Sequence, residues 1–135
     1  MIRYMEGTNI LGHFVRRTHP ALQLRFALAM ELEETAISVV TRAETRIGLA
    51  RLDAKDKRRE SIDCLLKQIP ALPWTAEAAD RYAEFAIGLQ HAGQAIAQMD
   101  TMIAAHAAVT DLPLVTHSTR HFSCISELAL EDWAV

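Results

Sequence analysis

The chain has little cysteine, little lysine and no long apolar run, and each shortage narrows what it can be. Cys64 and Cys124 are the only 2 cysteines in 135 residues and stand in no metal-binding or redox spacing. A disulfide framework is therefore not expected, and a reducing compartment is. No uninterrupted apolar stretch approaches the ~20 residues of a membrane-spanning helix. The first residues read as a strand rather than as a charged segment followed by a long apolar one, so no signal peptide is expected. The expectation is a soluble cytoplasmic domain with no membrane association. No repeat, low-complexity tract or linker divides the chain, so residues 1–135 are read as one domain. That length suffices for a hydrophobic core without covalent or metal staples.

What is present is ordinary globular composition, half hydrophobic, with a formal net charge of −3. Such a balance carries no bulk signature of nucleic-acid binding. The cations are unevenly chosen, however, with 11 Arg against 3 Lys. Arg presents a planar fork suited to carboxylate or phosphate, so a local basic groove is compatible with a mildly acidic whole.

Strand and helix patterns alternate along the chain. Ile2–Met5 reads as a strand, and a helix capped by Thr8 or Asn9 follows. Pro20 suits the first position of a second helix running to Glu34. Ala36–Val40 (AISVV) has the short, β-branched character of a strand buried on both faces, and Thr41–Leu52 returns to helical spacing. The charged run Lys55–Glu60 reads as a solvated face leading into the amphipathic stretch IDCLLKQI. A short strand is expected at Leu72–Trp74, then a helix from Thr75 to about His91, ended by Gly93. Ala97–Val109 reads as a central Ala-rich helix, Leu112–Thr116 as a strand, and Leu128–Trp133 as a final edge strand. This alternation predicts an α/β fold with a parallel sheet covered on both sides.

Ligands of such sheets bind beyond the carboxyl ends of the strands, so the residues after each strand are the candidates. These are Gly7, Thr8 and Asn9; the run Thr41-Arg42-Ala43-Glu44; and His117, Ser118, Thr119 and Arg120, with Asp100 at the start of the Ala-rich helix. Each has a plain structural reading. Gly7 permits a tight strand-to-helix turn. Thr41 and Glu44 form a capping box. Asp100 suits a helix N-terminus through the macrodipole, and Ser118 closes a turn. Met99, Met102 and Ile103 read as core or dimer contact. His106, His117 and His121 complete no four-ligand zinc set, and His117 and His121 read as loop residues beside the crevice.

The segments YMEGTNIL, ISVVTRAETRIGLA, ALPWTAEAADRYAE, AGQAIAQMDTMIAAHA, LPLVTHSTRHF and LALEDW, in this order and spacing, resemble a PIN-domain ribonuclease toxin of the VapC type over the whole length. The resemblance implies a three-layer α/β/α fold with a central, mainly parallel sheet. It implies a Mg2+-dependent endoribonuclease, with Mn2+ as the alternative ion, that cuts structured RNA, in this family often a tRNA loop. It also implies a homodimer and a cognate VapB-type antitoxin. The family's aspartate closing the first strand, in a motif D-T-N, falls on Gly7. The glutamate of T-x-x-E falls on Glu44, the aspartate opening the central helix on Asp100, and an Asp or Asn after the next strand on Ser118. Glu44 and Asp100 are thus the implied metal ligands, and Gly7 marks a missing carboxylate. Glu6 is a poor substitute, because neighbouring strand side chains point to opposite faces. Two functions follow: a ribonuclease weakened or inactivated at Gly7, or a catalytically silent module that still dimerises and binds antitoxin.

Overall fold

The computed structural model describes residues 1–135. Five parallel strands run in the order β3-β2-β1-β4-β5: β1 (Tyr4–Glu6), β2 (Thr35–Ser38), β3 (Ala71–Leu72), β4 (Leu114–Val115) and β5 (Leu130–Glu131). β1 lies between β2 and β4, with Met5 opposite Ala36 on one side and Leu114 on the other. The helices are α1 (Thr8–Arg16), α2 (Pro20–Glu31), α3 (Val39–Ala50), α4 (Arg58–Gln68), α5 (Ala76–His91), α6 (Gln98–Val109) and the single turn α7 (Thr119–Phe122).

Two apolar clusters pack against the sheet and make the three layers. On one side Met5 and Leu114 meet Phe85 and Leu89 of α5 and Ile103 and Ala107 of α6. On the other, Ile37, Val115 and Trp133 meet Ile10 and Leu11 of α1, Phe26 of α2 and Leu66 of α4. The Ala-rich helix is central, as its composition predicts: Thr101 and Ile103 through Ala107 are all buried. Small side chains let it lie close to the sheet and to α5.

Several boundaries differ from the sequence reading. Ala36–Val40 does not stay extended. Ser38 ends the strand, its Oγ accepts the Val40 N–H at 3.0 Å, and α3 begins at Val39. The β-branched pair Val39-Val40 therefore opens a helix, where the cap outweighs strand propensity. The cap of α1 is Gly7 and not Thr8 or Asn9. The third strand is Ala71–Leu72 instead of Leu72–Trp74, since Pro73 has no N–H to give a ladder. Thr75 does cap α5, accepting from the Ala78 N–H at 3.1 Å, and Gly93 follows with φ +68°, the left-handed conformation that favours glycine. In the charged run, Arg59 donates to the carbonyls of Leu49 and Leu52, so one of its cations closes the end of α3 while Arg58 pairs with Asp56.

Candidate active site

A crevice of about 390 Å3 opens at the carboxyl ends of β1 and β4. Gly7, Glu44, Asp100 and Ser118 all line it, with Thr8, Thr116 and His121 among the remaining wall. The four positions singled out from sequence thus come together. A larger groove, about 710 Å3, lies at the amino ends of the strands around Met1, Ile2, Thr35 and Pro70. Its polar wall is Glu31, Glu33, Thr35 and Gln68, but it lies away from the carboxyl ends of the strands, where ligands of such sheets bind, so the smaller crevice is the better candidate for chemistry.

Gly7 has φ −73° and ψ 162°, ordinary extended backbone that any residue adopts. The turn does not use glycine's conformational freedom. The Gly7 N–H donates to the Val115 carbonyl at 2.8 Å, which holds the end of β1 against β4. A Cβ at this position would lie 3.1 Å from that same backbone oxygen, so a larger residue here fits only if the β1–β4 edge gives by a few tenths of an ångström. The alternation of side chains along β1 aims position 7 to the same face as Met5, toward α6.

Glu6 accordingly faces the other way. It is fully buried, accepts the Thr35 hydroxyl and leaves Oε1 without a partner. Burial pushes its carboxyl up to about 8, against the smaller opposing effect of the Thr35 hydrogen bond. A carboxyl so placed is largely protonated at neutral pH, and it is absent from the crevice wall.

Glu44 projects from α3 and accepts the Thr8 hydroxyl at 2.7 Å, which ties the start of α1 to α3. The capping-box reading of Thr41 and Glu44 does not hold: Ser38 is the cap, and Thr41 is the third residue inside the helix. Thr41 instead sits buried with its Oγ1 3.5 Å from that of Thr8. Asp100 lies in the first turn of α6, whose Ala97 cap makes no side-chain bond. A negative charge there is favoured by the exposed N–H groups of the helix end, so the structural and chemical readings of Asp100 coexist. Its Oδ2 is 3.1 Å from His121 Nε2. Ser118 holds the N-cap position of α7, its N–H donating to Thr116 Oγ1 at 3.0 Å. It closes a turn and lines the crevice at once.

The sequence reading missed Thr8 as the donor to Glu44 and Thr116 as the support of Ser118. It placed His121 beside the crevice without its partner, although His121 follows Ser118 by three residues, about one helical turn. The three histidines weighed for zinc lie in separate places. His106 is buried with its Nδ1 2.7 Å from Ser38 Oγ, His117 is near Asp132 and His121 is on Asp100.

No three His, Cys, Asp or Glu side chains converge as a preformed cage for a metal. Glu44 and Asp100 nevertheless face one crevice. Mg2+ is commonly held by one or two carboxylates, with waters and substrate phosphate completing its octahedron. The donor set therefore fits a hard divalent cation at the lower limit of protein ligands.

A PIN domain match spans residues 4–127, and the chain belongs to that family. It is 27% identical to Ribonuclease VapC2 of Rickettsia felis, over 96% of this chain and 97% of the relative. It is 25% identical to Ribonuclease VapC1 of Haemophilus influenzae strain R2866, over the same shares of the two chains. Among solved structures it resembles a chain of VapBC2 from Rickettsia felis bound to a promoter DNA fragment, with a TM-score of 0.86 and 28% identity, covering 98% of this chain and 99% of that one. A chain of DNA-bound VapBC from Salmonella typhimurium gives a TM-score of 0.88 at 25% identity over the same shares. The all-parallel sheet and three layers are those that the sequence resemblance implied. No helix is long and apolar enough to cross a membrane.

Proposed function

We propose that this chain is the toxin of a toxin–antitoxin pair, a Mg2+-dependent endoribonuclease whose metal site is weakened at Gly7. The observation that carries this reading is that Glu44 and Asp100 line one crevice in which the third expected carboxylate position is Gly7. The names of its relatives, Ribonuclease VapC, support the reaction class, and the VapBC complexes among similar structures support a VapB-type partner.

Bound Mg2+ supplies charge neutralisation at a scissile phosphate and lowers the pKa of an attacking water. Glu44 and Asp100 would hold it. Thr8 fixes the Glu44 carboxylate through its hydroxyl, and the first-turn N–H groups of α6 hold the field around Asp100 favourable to negative charge. The Ser118 and Thr116 side chains and the Asn9 amide stand ready to position phosphate and ribose oxygens. Structured RNA, with tRNA as the first candidate, is the substrate class, Mn2+ is the alternative ion, and the cytoplasm is the setting.

For the partner, α2 offers Leu24 and Leu28, and its C-cap residue Leu32 follows, exposed by 76%, 54% and 53% at four-residue spacing. A ridge of this kind on one helix face is a protein-docking surface. An antitoxin segment crossing from there to the crevice would present Arg or Lys to Glu44 and Asp100, where a cation satisfies both carboxylates. A homodimer completes the assembly.

The second reading, a silent module that dimerises and binds antitoxin, is favoured by the lack of any converging group of three metal-binding side chains. The test is cleavage of tRNA by the purified chain with Mg2+ and with EDTA, beside a titration with the antitoxin encoded next to it. Slow, EDTA-sensitive cleavage supports the weakened nuclease. Tight antitoxin binding with no cleavage supports the silent module.

A further inference from the structure

A second, smaller recess of about 210 Å3 lies between α1, α3 and α4 and adjoins the crevice. The two share Thr8 and Glu44 as lining. Leu11 and Val15 of α1, Leu49 of α3 and Ile62 of α4 form apolar walls, and Arg16 and Arg58 add two cations. Arg58 is held by Asp56 at 2.6 Å, whereas Arg16 is exposed and enters none of the ion pairs. Beyond Thr8 and Glu44, the reaction argued above uses none of these side chains.

Two glycines keep the recess open. Gly12 of α1 and Gly48 of α3 both line it, although glycine within a helix lowers stability relative to alanine. Close packing is a common reason for a helical glycine, but a Cβ at Gly48 would meet nothing within 4 Å. The chain itself leaves that space unfilled. A Cβ at Gly12 would lie 3.3 Å from the Arg16 guanidinium, so the bare backbone there lets Arg16 fold back along α1 beside the recess. The volume is below the ~300–1,000 Å3 of sites for drug-sized ligands and suits a single planar ring system. Its polar groups are largely engaged. The Thr45 hydroxyl donates to the Thr41 carbonyl at 2.7 Å, and Arg58 is committed to Asp56, so the recess selects by shape more than by pairing to polar edges.

We propose that this recess is a nucleobase subsite, taking the base of an unstacked nucleotide beside the scissile phosphate while Arg16 binds an adjoining phosphate. The inference rests on the ribonuclease reading and narrows its substrate to RNA that is single-stranded or looped at the cleavage point. Aliphatic walls hold the flat faces of an extruded base, whereas a duplex keeps its bases stacked and out of reach. Thr8 begins α1 at the crevice and Arg16 ends it, ~12 Å further along at ~1.5 Å per residue. Arg16 therefore meets a neighbouring phosphate and not the one facing Glu44 and Asp100. Its planar fork matches phosphate oxygens, and its charge is complementary to the strand leaving the crevice.

The experiment is fluorescence anisotropy of three labelled probes of equal length: a mixed-sequence single-stranded RNA, its duplex and an abasic ribose-phosphate oligomer. The full chain is used with Mg2+ on an Asp100→Asn background, so that the RNA stays whole. Gly48→Leu fills the recess with a good helix former and leaves the crevice untouched. The expected result is single-strand binding weakened at least about fivefold by Gly48→Leu, the lower end of one base contact, with binding of the abasic oligomer unchanged. Arg16→Gln should weaken both and reduce the salt dependence by about one phosphate contact. The duplex should bind less tightly than the single strand and ignore Gly48→Leu. Circular dichroism identifies a variant that fails to fold, and Arg16→Gln, at an exposed side chain, keeps the phosphate half of the proposal testable in that event. Single-strand binding that ignores Gly48→Leu, or an equal loss on the abasic oligomer, overturns the subsite. So does the absence of RNA binding, and so does a Gly48→Leu effect confined to antitoxin affinity, which would give the recess to the protein partner. Cleavage of tRNA by the natural chain is read separately, so the subsite can fail while the nuclease reading stands.

Discussion

His121 Nε2 stands 3.1 Å from Asp100 Oδ2, at the mouth of the crevice that also holds Glu44. An imidazole here occupies one of the oxygens a divalent cation needs, and it contributes no negative charge of its own. Replacing it with a carboxylate adds that charge beside Asp100. His121→Asp is expected to tighten Mg2+ binding by roughly tenfold, the scale on which neighbours of metal ligands act. Calorimetric titration of the two proteins checks this, and equal affinities would show that the imidazole does not stand in the cation's way.

Glu6 makes folding pH-dependent. Its carboxyl is pushed from 4.5 up to about 8 by burial, so between those values the native chain keeps a proton that the unfolded chain releases. Native protein then binds more protons than unfolded, and stability falls as pH rises, by about 1.4 kcal/mol per pH unit for this one group, levelling off above the folded pKa. Glu6→Gln keeps an acceptor for Thr35 and removes the ionisation. Urea denaturation at pH 5 and pH 8 should show the variant gaining on the natural chain as pH rises. A constant difference between the two would place the Glu6 proton elsewhere.

Leu28 sits midway along the exposed ridge of α2 and is 54% accessible. Leu28→Asp should leave the unfolding midpoint nearly unchanged, since surface changes usually stay within about 0.5 kcal/mol. Antitoxin binding should weaken by at least about tenfold, the cost of a charge in an apolar contact of ~1.4 kcal/mol or more. Pull-down and calorimetry against the neighbouring antitoxin read the effect, and unchanged affinity would move the docking surface off α2.

The layer order and the crevice were legible because period-2 and period-3.6 patterns survive in most elements. The first part of AISVV read as a strand, Pro20 marked a helix start, and alternation correctly turned Glu6 away from Gly7. Local chemistry that competes with propensity was not legible. Ser38 caps a helix that begins on two valines, so the apparent capping box at Thr41 and Glu44 dissolves and Glu44 is free to meet Thr8. Long-range pairs were invisible for a different reason. His121 with Asp100, and His13 with His19 and His117, join elements whose spacing no periodicity encodes. The role of Gly7 needed both kinds of information. The resemblance implies a missing carboxylate there, and φ −73° shows that the turn does not need a left-handed residue, while the close Val115 carbonyl still favours a small one.

Gly7→Asp tests the central claim most directly, because the backbone at position 7 already suits an aspartate and only the 3.1 Å approach of its Cβ to the Val115 carbonyl must relax. The measurement is the rate of Mg2+-dependent tRNA cleavage by the natural chain and by Gly7→Asp, with and without EDTA. The account predicts a rise of at least roughly tenfold in the EDTA-sensitive rate, abolished again when Glu44→Gln or Asp100→Asn is added. A natural chain that already cuts as fast as its folded Gly7→Asp variant would contradict the reading of Gly7 as a vacated ligand position.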